Sequence, residues 1–529
     1  MSVPKVTVVG GGLAGMVAAW KLLERGCDVT IFEASGRWGG KAGATECDGQ
    51  FEEHGYHIFP AWYRNVQQLV DELGLRESFR DCTEFLQLRS GTYPDFRAFT
   101  NITSARYLWR NLTAGVLPFA ETFLFFYAAL DLMSQPYRYR AQLDQVTVTG
   151  FLRSRFYRTE PIAQQFQELM LKGISVPTYE VSAMTMHKVM QFWVRTPVPM
   201  HRILKGNLQS MWIEPIRQKV ASLGASMQLG RRLVTVDVKE GTVRFVKFVD
   251  QHGNEEEHPV ERLLLAIPVE KATGLVKDRL YASAPNLGQL GNVRTRPMTA
   301  FNIYFKRRIA DMPSSHVNLI DSRYGISFID VSQTWGIPDR TVLNLIASDV
   351  TDLELVSPRV AVAALMEDLL RYLPPFGVAD VERVTFQSHA KQPLFMNDVG
   401  IWEFRPTARS QIDNLYLAGD FCQTPIDLVS MEGAVCSGLA AAEALRADLG
   451  IRAPIAVLTP DTYPRWLFVL GRMLLLPAAT IAKLWTLVSP TSFDPTASDV
   501  PPFGLQTLPD WPVIAIDESL PTQQDASTA

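Results

Sequence analysis

An α/β fold built on a parallel sheet is predicted by three features near the start of the chain. Residues 5–9, Lys-Val-Thr-Val-Val, form a short β-branched run that is typical of a buried strand. A glycine-rich turn follows at residues 10–15, and a helical pattern then runs from residue 13 to about residue 25. A second strand over residues 28–32 ends at an acidic residue, Glu33. This order of elements predicts a Rossmann-type nucleotide-binding domain.

The glycine-rich turn, Gly-Gly-Gly-Leu-Ala-Gly, fits the G-x-G-x-x-G pattern of dinucleotide-binding turns. Gly10 permits the tight turn, Gly12 lets the backbone approach a pyrophosphate, and Gly15 lets the helix pack closely on the strand. Glu33 lies about twenty residues further on, where a carboxylate accepts hydrogen bonds from a ribose 2′-hydroxyl. An acid at this position disfavours the 2′-phosphate of NADP, so the pattern predicts a different dinucleotide.

A second glycine motif follows the ribose-binding acid. Residues 37–41 read Arg-Trp-Gly-Gly-Lys, which places two glycines between two cations. Here the sequence resembles the superfamily of FAD-dependent amine oxidases and carotenoid desaturases, whose second motif is Arg-x-Gly-Gly-Arg/Lys after a glutamate. The resemblance implies that FAD rather than NAD is bound, that the paired glycines approach its phosphates, and that Arg37 contacts it.

A third motif lies near the C-terminus. Residues 414–420 read as a strand that ends in Gly419-Asp420, and residues 431–438 open a helix rich in small residues. Backbone N–H groups at such a helix N-terminus favour negative charge. The pair resembles the superfamily's Leu-Ala-Gly-Asp … Met-Glu-Gly-Ala-x-x-Ser-Gly motif. By that resemblance Asp420 contacts the ribityl–pyrophosphate region, and residues 431–434 lie beside the isoalloxazine ring.

These motifs predict one FAD site that is assembled from both ends of the chain. The FAD-binding domain is expected to comprise residues 1–84, 206–280 and 385–449, and a discontinuous α+β substrate lobe is expected to comprise 85–205 and 281–384. The predicted cofactor-binding residues are Gly10, Gly12, Leu13, Ala14, Gly15, Glu33, Ala34, Arg37, Gly39, Gly40, Lys41, Val234, Gly419, Asp420, Met431 and Ala434.

One branch of the superfamily fits better than the others. Residues 53–65 and 205–216 resemble segments of plant and cyanobacterial phytoene and ζ-carotene desaturases, although residues 60–62, Pro-Ala-Trp, depart from that pattern. The resemblance implies desaturation of a lipophilic isoprenoid, with hydride transfer to flavin N5. Redox-neutral isomerases and hydroxysqualene-type dehydroxylases share the same FAD motifs and remain alternatives. Amine oxidases usually carry a lysine near flavin N5, and a rough alignment puts Ala300 at that position.

A hydrocarbon substrate requires a long apolar channel. Candidate lining residues are aromatic and fall in two segments: Phe123, Phe125, Phe126, Tyr127, Phe192 and Trp193. His57 is a candidate acid or base near the flavin, and Arg195 is a candidate polar contact for the substrate or a quinone. The alternatives are aromatic core packing and a structural histidine, and no general base is identified. Either a quinone or oxygen would reoxidise the flavin.

A membrane-contact segment is predicted over residues 450–490. Residues 466–488 are largely apolar, but Pro477 interrupts the run, and Arg465, Arg472 and Lys483 fall on one face of a helix. This pattern predicts a helix that lies in the membrane interface. Packing on the protein's own substrate lobe is the alternative. Residues 491–529 are expected to form a flexible tail.

Composition excludes some classes of function. The formal net charge of −4 lacks the positive excess that nucleic-acid binding requires. The five cysteines are scattered and predict neither a metal site nor a disulfide framework. We therefore expect a reducing, cytoplasmic setting, with the protein held at the cytoplasmic face of the membrane.

Overall fold

The computed structural model describes residues 3–47, 49–100, 105–136, 140–276, 280–489 and 509–516. The strands of these ranges are β1 (Lys5–Val9), β2 (Asp28–Phe32), β3 (Ala44–Cys47), β4 (Gln50–Glu53), β5 (Phe59–Pro60), β6 (Phe79–Cys82), β7 (Phe85–Leu88), β8 (Arg97–Phe99), β9 (His201–Leu204), β10 (Ser226–Gln228), β11 (Arg232–Lys239), β12 (Thr242–Val249), β13 (Glu255–Pro259), β14 (Arg262–Leu265), β15 (Thr295–Arg296), β16 (Thr299–Phe305), β17 (Val317–Leu319), β18 (Ile326–Asp330), β19 (Val342–Ala347), β20 (Val381–Ser388), β21 (Leu394–Phe395), β22 (Leu415–Leu417) and β23 (Val513–Ala515). The helices are α1 (Leu13–Leu23), α2 (Arg64–Glu72), α3 (Ala105–Thr113), α4 (Phe119–Met133), α5 (Arg140–Asp144), α6 (Val148–Arg153), α7 (Glu160–Ile174), α8 (Ala183–Val194), α9 (Glu214–Ser222), α10 (Val269–Leu275), α11 (Tyr281–Ser283), α12 (Pro358–Leu370), α13 (Met431–Asp448) and α14 (Arg465–Val488).

A five-stranded parallel sheet carries the nucleotide motifs. Its strand order is β10-β2-β1-β14-β22, and each neighbouring pair is parallel. Helices α1, α9 and α13 pack together beside it. Buried on both faces, β1 is nearly continuously apolar, as strands of parallel sheets are. The strands come from three distant stretches of the chain, which confirms the predicted α/β Rossmann-type fold class with an interrupting lobe.

A second, mixed sheet of eight strands forms the floor of the substrate lobe, in the order β23-β20-β16-β19-β18-β17-β7-β8. Helix α12 packs on one face of it. Two predicted boundaries were wrong. The border at residues 384/385 falls within β20, which belongs to this sheet. Residues 513–515 of the predicted tail form β23, which pairs in parallel with β20. Residues 491–508 and 517–529 of that tail lie outside the described residues.

Two buried carboxyl groups of β4 join the two sheets. Glu52 accepts hydrogen bonds from Asn302 Nδ2 (2.6 Å) and from Tyr304 Oη (2.7 Å), both on β16. Glu53 Oε1 accepts one from the Leu208 N–H (2.7 Å), near the start of α9. Burial raises the pKa of Glu53 to about 8. Because the lobes are joined by satisfied buried groups, the space between them keeps a defined shape.

A buried histidine makes the free energy of unfolding depend on pH. Within the described residues, neither ring nitrogen of His201, on β9, has a hydrogen-bond partner, and the ring stacks on Phe85 at 4.4 Å. Burial lowers the pKa of His201 to about 3. The unfolded chain protonates this histidine near pH 6.5, whereas the folded chain does not. The stability it contributes is therefore present above pH 6.5 and is lost as pH falls toward 3.

We predict that His201→Phe resists acid better than the parent protein. The phenyl ring suits the stack on Phe85 and removes the protonation site, so the variant should gain about 2 kcal/mol relative to the parent between pH 7 and pH 4.5. Denaturant unfolding at both pH values measures this difference. His252→Phe, in an exposed turn, is the control. An equal loss of stability in His201→Phe and in the parent would contradict the prediction.

Candidate active site

A cavity of about 1470 Å³ lies between the two sheets. Every predicted cofactor-binding residue except Gly15 lines it. Gly15 is instead pressed against the turn, where an added Cβ would lie 2.0 Å from the Gly10 carbonyl oxygen. The chain therefore brings motifs that are about four hundred residues apart to one surface, as the folding of a discontinuous Rossmann domain requires.

The glycine turn leaves room for a ligand at one position in particular. Gly10 has φ +114°, a conformation that favours glycine, and its Cβ would collide with the Ala266 carbonyl. Gly12 is different, because a Cβ there would meet only Gly40 Cα, at 3.9 Å. Gly12 therefore opens onto the cavity. This observation fits a pyrophosphate that approaches the backbone at the N-terminus of α1.

Helix α13 begins at the same end of the cavity. Ser430 caps it by accepting a hydrogen bond from the Gly433 N–H (3.0 Å). Further along, a Cβ at Gly438 would lie 2.3 Å from the Ala14 carbonyl oxygen, so this glycine allows α13 to pack directly on α1. Two helix N-termini thus meet at the cavity, and their dipoles favour a negatively charged ligand there.

Glu33 is held in place at the end of β2. Its Oε2 accepts a hydrogen bond from the Gly11 N–H (2.6 Å), and its Oε1 accepts from the N–H and the hydroxyl of Ser35 (2.8 and 2.9 Å). These donors hold the carboxylate at the cavity wall, where it can accept hydrogen bonds from the two hydroxyl groups of a ribose. Val234, on β11, lines the same part of the cavity.

The second glycine motif is anchored by both of its cations. Arg37 donates to the Gly40 carbonyl (3.1 Å), and its other nitrogen lies 2.9 Å from His54 Nε2. Burial, followed by the charge of Arg37, keeps the pKa of His54 well below its usual range, so this imidazole is neutral. Lys41 pairs with Glu270 at 3.2 Å. Sequence analysis missed His54, although it lies in the segment that resembles the desaturases.

A buried arginine that sequence analysis also missed holds the loop after Asp420. The guanidinium of Arg405 donates to the backbone carbonyls of Asp420, Phe421, Cys422 and Asp427 at 2.8–3.2 Å. Burial raises the pKa of the Asp420 carboxyl, while the charges of Lys41 and Arg405 oppose that rise. Arg405 stands in no motif, so only the folded structure shows its role.

Glu432 ties the last motif to helix α2. Its carboxyl group is fully buried and accepts hydrogen bonds from the N–H groups of Asn65 and Val66 (both 2.9 Å) and from Asn65 Nδ2 (2.7 Å). Burial raises the pKa of Glu432 to about 7. Asn65 and Glu432 each belong to a motif that the sequence pointed out, but their pairing could not be predicted. The pairing fixes the start of α13 against the segment that carries His57.

The two candidate catalytic residues have different locations. His57 lines the cavity, and its buried Nδ1 has no hydrogen-bond partner in the ranges that the structure describes. Burial lowers the pKa of His57 to about 4, so its imidazole is neutral near pH 7. Arg195 does not line the cavity. It is exposed, donates to the Thr462 carbonyl (2.9 Å) and lies over the ring of Tyr463, so the wall of this cavity does not include it.

The aromatic channel is present in part. Phe123, Phe125, Phe126 and Trp193 line the cavity, whereas Tyr127 and Phe192 pack in the core. Ala300 is buried within β16, where it pairs with Ile346 of β19, and it does not itself line the cavity. The lysines that line the cavity within the described part of the chain are Lys41, Lys172, Lys271 and Lys391.

Helix α14 covers the aromatic end of the cavity. Its three cations bind the protein itself: Arg472 pairs with Asp131 (2.7 Å), and Arg465 and Lys483 donate to backbone carbonyls at 2.7 and 2.8 Å. On this face the helix packs on the substrate lobe, which was the alternative to membrane contact, and the membrane contact stays a prediction. The opposite, apolar face is exposed, and only 17% of the most apolar window of α14 is buried. By length and hydropathy alone α14 is long enough to cross a membrane.

A two-lobed fold with a nucleotide turn, paired helix N-termini and a deep cavity between its two main sheets defines an FAD-dependent oxidoreductase. FAD is the cofactor, and the residues named above would hold it. The sequence profile of the flavin containing amine oxidoreductases matches residues 13–446, and the chain belongs to that family.

Similar proteins agree with this assignment. The chain is 26% identical to the 15-cis-phytoene desaturase of Synechococcus elongatus over 461 residues, which cover 83% of this chain and 95% of the relative. It is 21% identical to the zeta-carotene desaturase of a Synechocystis species over 488 residues, with coverages of 84% and 97%. Among solved structures, cyclohexylamine oxidase from Brevibacterium oxydans has a TM-score of 0.62 at 15% identity, with coverages of 85% and 100%.

Proposed function

We propose that the protein is an FAD-dependent desaturase or dehydrogenase of a lipophilic, carotenoid-like isoprenoid. The single observation that carries the proposal is the large cavity, which continues from the FAD-binding motifs into an aromatic region bounded by α4, α8 and α14. A long apolar molecule offers few polar handles, so shape and apolar contact must hold it. The similarity to desaturases over most of the chain supports the same substrate class.

The proposed reaction removes two hydrogens from adjacent carbons. FAD, held by the glycine turn, Glu33 and the loop at Asp420, would supply the hydride acceptor. The neighbouring carbon of the substrate would lose a proton as the double bond forms. The protein's task is to hold the chain in register and to exclude water. His57 is neutral and lines the cavity, so it is the candidate proton acceptor in this region. A quinone or oxygen would then take both electrons.

Anaerobic mixing of the FAD-loaded protein with phytoene or ζ-carotene in liposomes tests the proposal. We expect the flavin absorption near 450 nm to bleach, about as in other flavin oxidoreductases, and mass spectrometry to show the loss of two hydrogens per new double bond. A product of unchanged mass would favour the isomerase, and loss of a hydroxyl group would favour the dehydroxylase. Bleaching only by amines would favour an amine oxidase. Adding a quinone or oxygen to the reduced protein then identifies the acceptor.

We further propose that α14 rests on the cytoplasmic face of a membrane, so that substrate enters from the lipid. Leu474 both lines the cavity and is 73% exposed, which places an opening of the cavity beside this helix. Trp466 and Trp485, near the two ends of α14, are also exposed, as aromatic residues in a membrane interface are. Because the cations of α14 are bound to the protein, its exposed side is apolar.

We predict that Ile481→Glu combined with Leu484→Glu prevents membrane binding. Both side chains are more than half exposed, and each would bury apolar area in lipid that favours binding by about 1.5–3 kcal/mol. Flotation with liposomes measures the bound fraction, and the parent protein should float. Leu355→Glu is the control, since Leu355 is 99% exposed on a different element. A parent protein that stays in the soluble fraction would contradict the membrane proposal.

A further inference from the structure

A polar cluster interrupts the apolar wall of the cavity on the side of the substrate lobe. Gln165, Glu168 and Lys172 fall at positions i, i+3 and i+7 of α7, so they share one face of that helix. All three line the cavity. The side chains of Glu168 and Lys172 are only 7% and 5% exposed. No cofactor motif contributes to this cluster.

The buried ion pair at the centre of the cluster is incompletely satisfied. Lys172 Nζ lies 3.6 Å from Glu168 Oε2, and neither atom has a hydrogen-bond partner among the residues that the structure describes. The other oxygen, Glu168 Oε1, accepts a hydrogen bond from the Asp321 N–H (3.0 Å). Buried charges are normally both paired and hydrogen-bonded, because desolvation is otherwise unfavourable. The gap between these two atoms therefore suits a small group that bridges them.

Neighbouring side chains extend the cluster. Asn318 Oδ1, on β17, and His316 Nδ1, just before it, are buried and have no hydrogen-bond partner in the described part of the chain, and both residues line the cavity. Asn318 lies directly across from Gln87 of β7 in the parallel pairing. An all-hydrocarbon substrate would cover these polar atoms without satisfying any of them.

We propose that this cluster, named here the α7 polar pocket (Gln165, Glu168, Lys172, His316 and Asn318), binds a hydroxyl group on the lipophilic substrate. The inference rests on the proposed function, because it takes the occupant of the cavity to be an isoprenoid-like lipid. The hydroxyl oxygen accepts a hydrogen bond from Lys172 Nζ, and the hydroxyl proton is donated to Glu168 Oε2. A single hydroxyl group thereby gives a hydrogen-bond partner to both Lys172 Nζ and Glu168 Oε2.

The charges around the pocket favour a neutral hydroxyl over an ionised group. Lys172 is already balanced by Glu168, and the nearby Asp349 and Asp368 are balanced by Arg296 and Arg371. A carboxylate or phosphate would meet the negative charge of Glu168. An ammonium group would meet Lys172. A hydroxyl group is both a donor and an acceptor and carries no charge, so neither the carboxylates nor the ammonium group of Lys172 repels it.

Binding of geranylgeraniol and of the hydrocarbon in which hydrogen replaces its hydroxyl tests the inference. Displacement of a fluorescent polyene from the FAD-loaded protein in detergent micelles gives both dissociation constants. We expect the alcohol to bind about tenfold more tightly, as one well-placed charge-assisted hydrogen bond allows. Lys172→Met combined with Glu168→Leu replaces the pair by apolar side chains, a change that folds often tolerate. In this variant the preference should disappear.

Lys271→Met is the matched control, since Lys271 is an exposed lysine at the same cavity and its loss should leave the preference unchanged. Equal binding of alcohol and hydrocarbon by the parent, or an undiminished preference in the double variant, would overturn the inference. The binding measurement needs no turnover. A preference for the alcohol without any flavin bleaching by isoprenoids would refute the proposed function alone, and turnover without the preference would refute the α7 polar pocket alone.

Discussion

Gly12→Val is expected to give a folded protein without flavin. A Cβ at this position meets no protein atom closer than Gly40 Cα at 3.9 Å, so the side chain would extend into the cavity at the N-terminus of α1. The methyl groups would occupy the space that the pyrophosphate needs, and the affinity for FAD should fall at least about tenfold. The ratio of absorption at 450 nm to that at 280 nm in the purified protein, about zero when flavin is absent, measures the loss.

Gly36→Ala is the matched control for that experiment. Gly36 lies between the two glycine motifs, no atom lies within 4 Å of its added Cβ, and its backbone is not left-handed. This variant should keep its flavin and its melting temperature. Gly15→Ala gives a third outcome, because its Cβ would lie 2.0 Å from the Gly10 carbonyl oxygen. It should disturb folding as well as binding. Full flavin content in Gly12→Val would refute the assignment of the turn.

The elements of the nucleotide domain could be predicted because each leaves a local mark in the sequence. A β-branched strand, a glycine turn and a terminal acid act over a few residues, and Gly10 and Glu33 lie where the pattern puts them. Val234 was predicted only through the resemblance to the superfamily, and it lies on β11 and lines the cavity. Local chemistry was sufficient for Gly10 because the backbone geometry of a turn leaves few choices of amino acid.

The sequence carries little information about what a side chain contacts and about pairing over long distances. The periodicity of α14 correctly put Arg465, Arg472 and Lys483 on one face, but it gave no information about what that face contacts. Asp131, which binds Arg472, lies more than three hundred residues earlier. Strand β23 was missed because three residues pair with β20 in a segment whose composition favours disorder.

Arg405→Met is expected to destabilise the protein most among the substitutions considered. The guanidinium is 3% exposed and donates to the carbonyls of Asp420, Phe421, Cys422 and Asp427. Methionine fills a similar volume but leaves these buried acceptors unsatisfied, at a cost of about 3–5 kcal/mol for a buried charged partner. Thermal unfolding should show a fall in melting temperature, and flavin should be lost at a lower temperature than in the parent.

Arg409→Met separates this effect from the general loss of an arginine. Arg409 lies four residues further on and pairs with Asp448 at the surface, with its side chain 53% exposed, so its removal should change stability by less than about 1 kcal/mol. The stability of Arg405→Lys should lie between those of Arg405→Met and Arg409→Met, because an ammonium group reaches fewer carbonyls than a guanidinium does. If Arg405→Met and Arg409→Met lower the melting temperature equally, the loop after Asp420 is held by its own backbone and not by the Arg405 side chain. The positioning of Asp420 would then depend on β22 and α13 alone, since these two elements flank that loop.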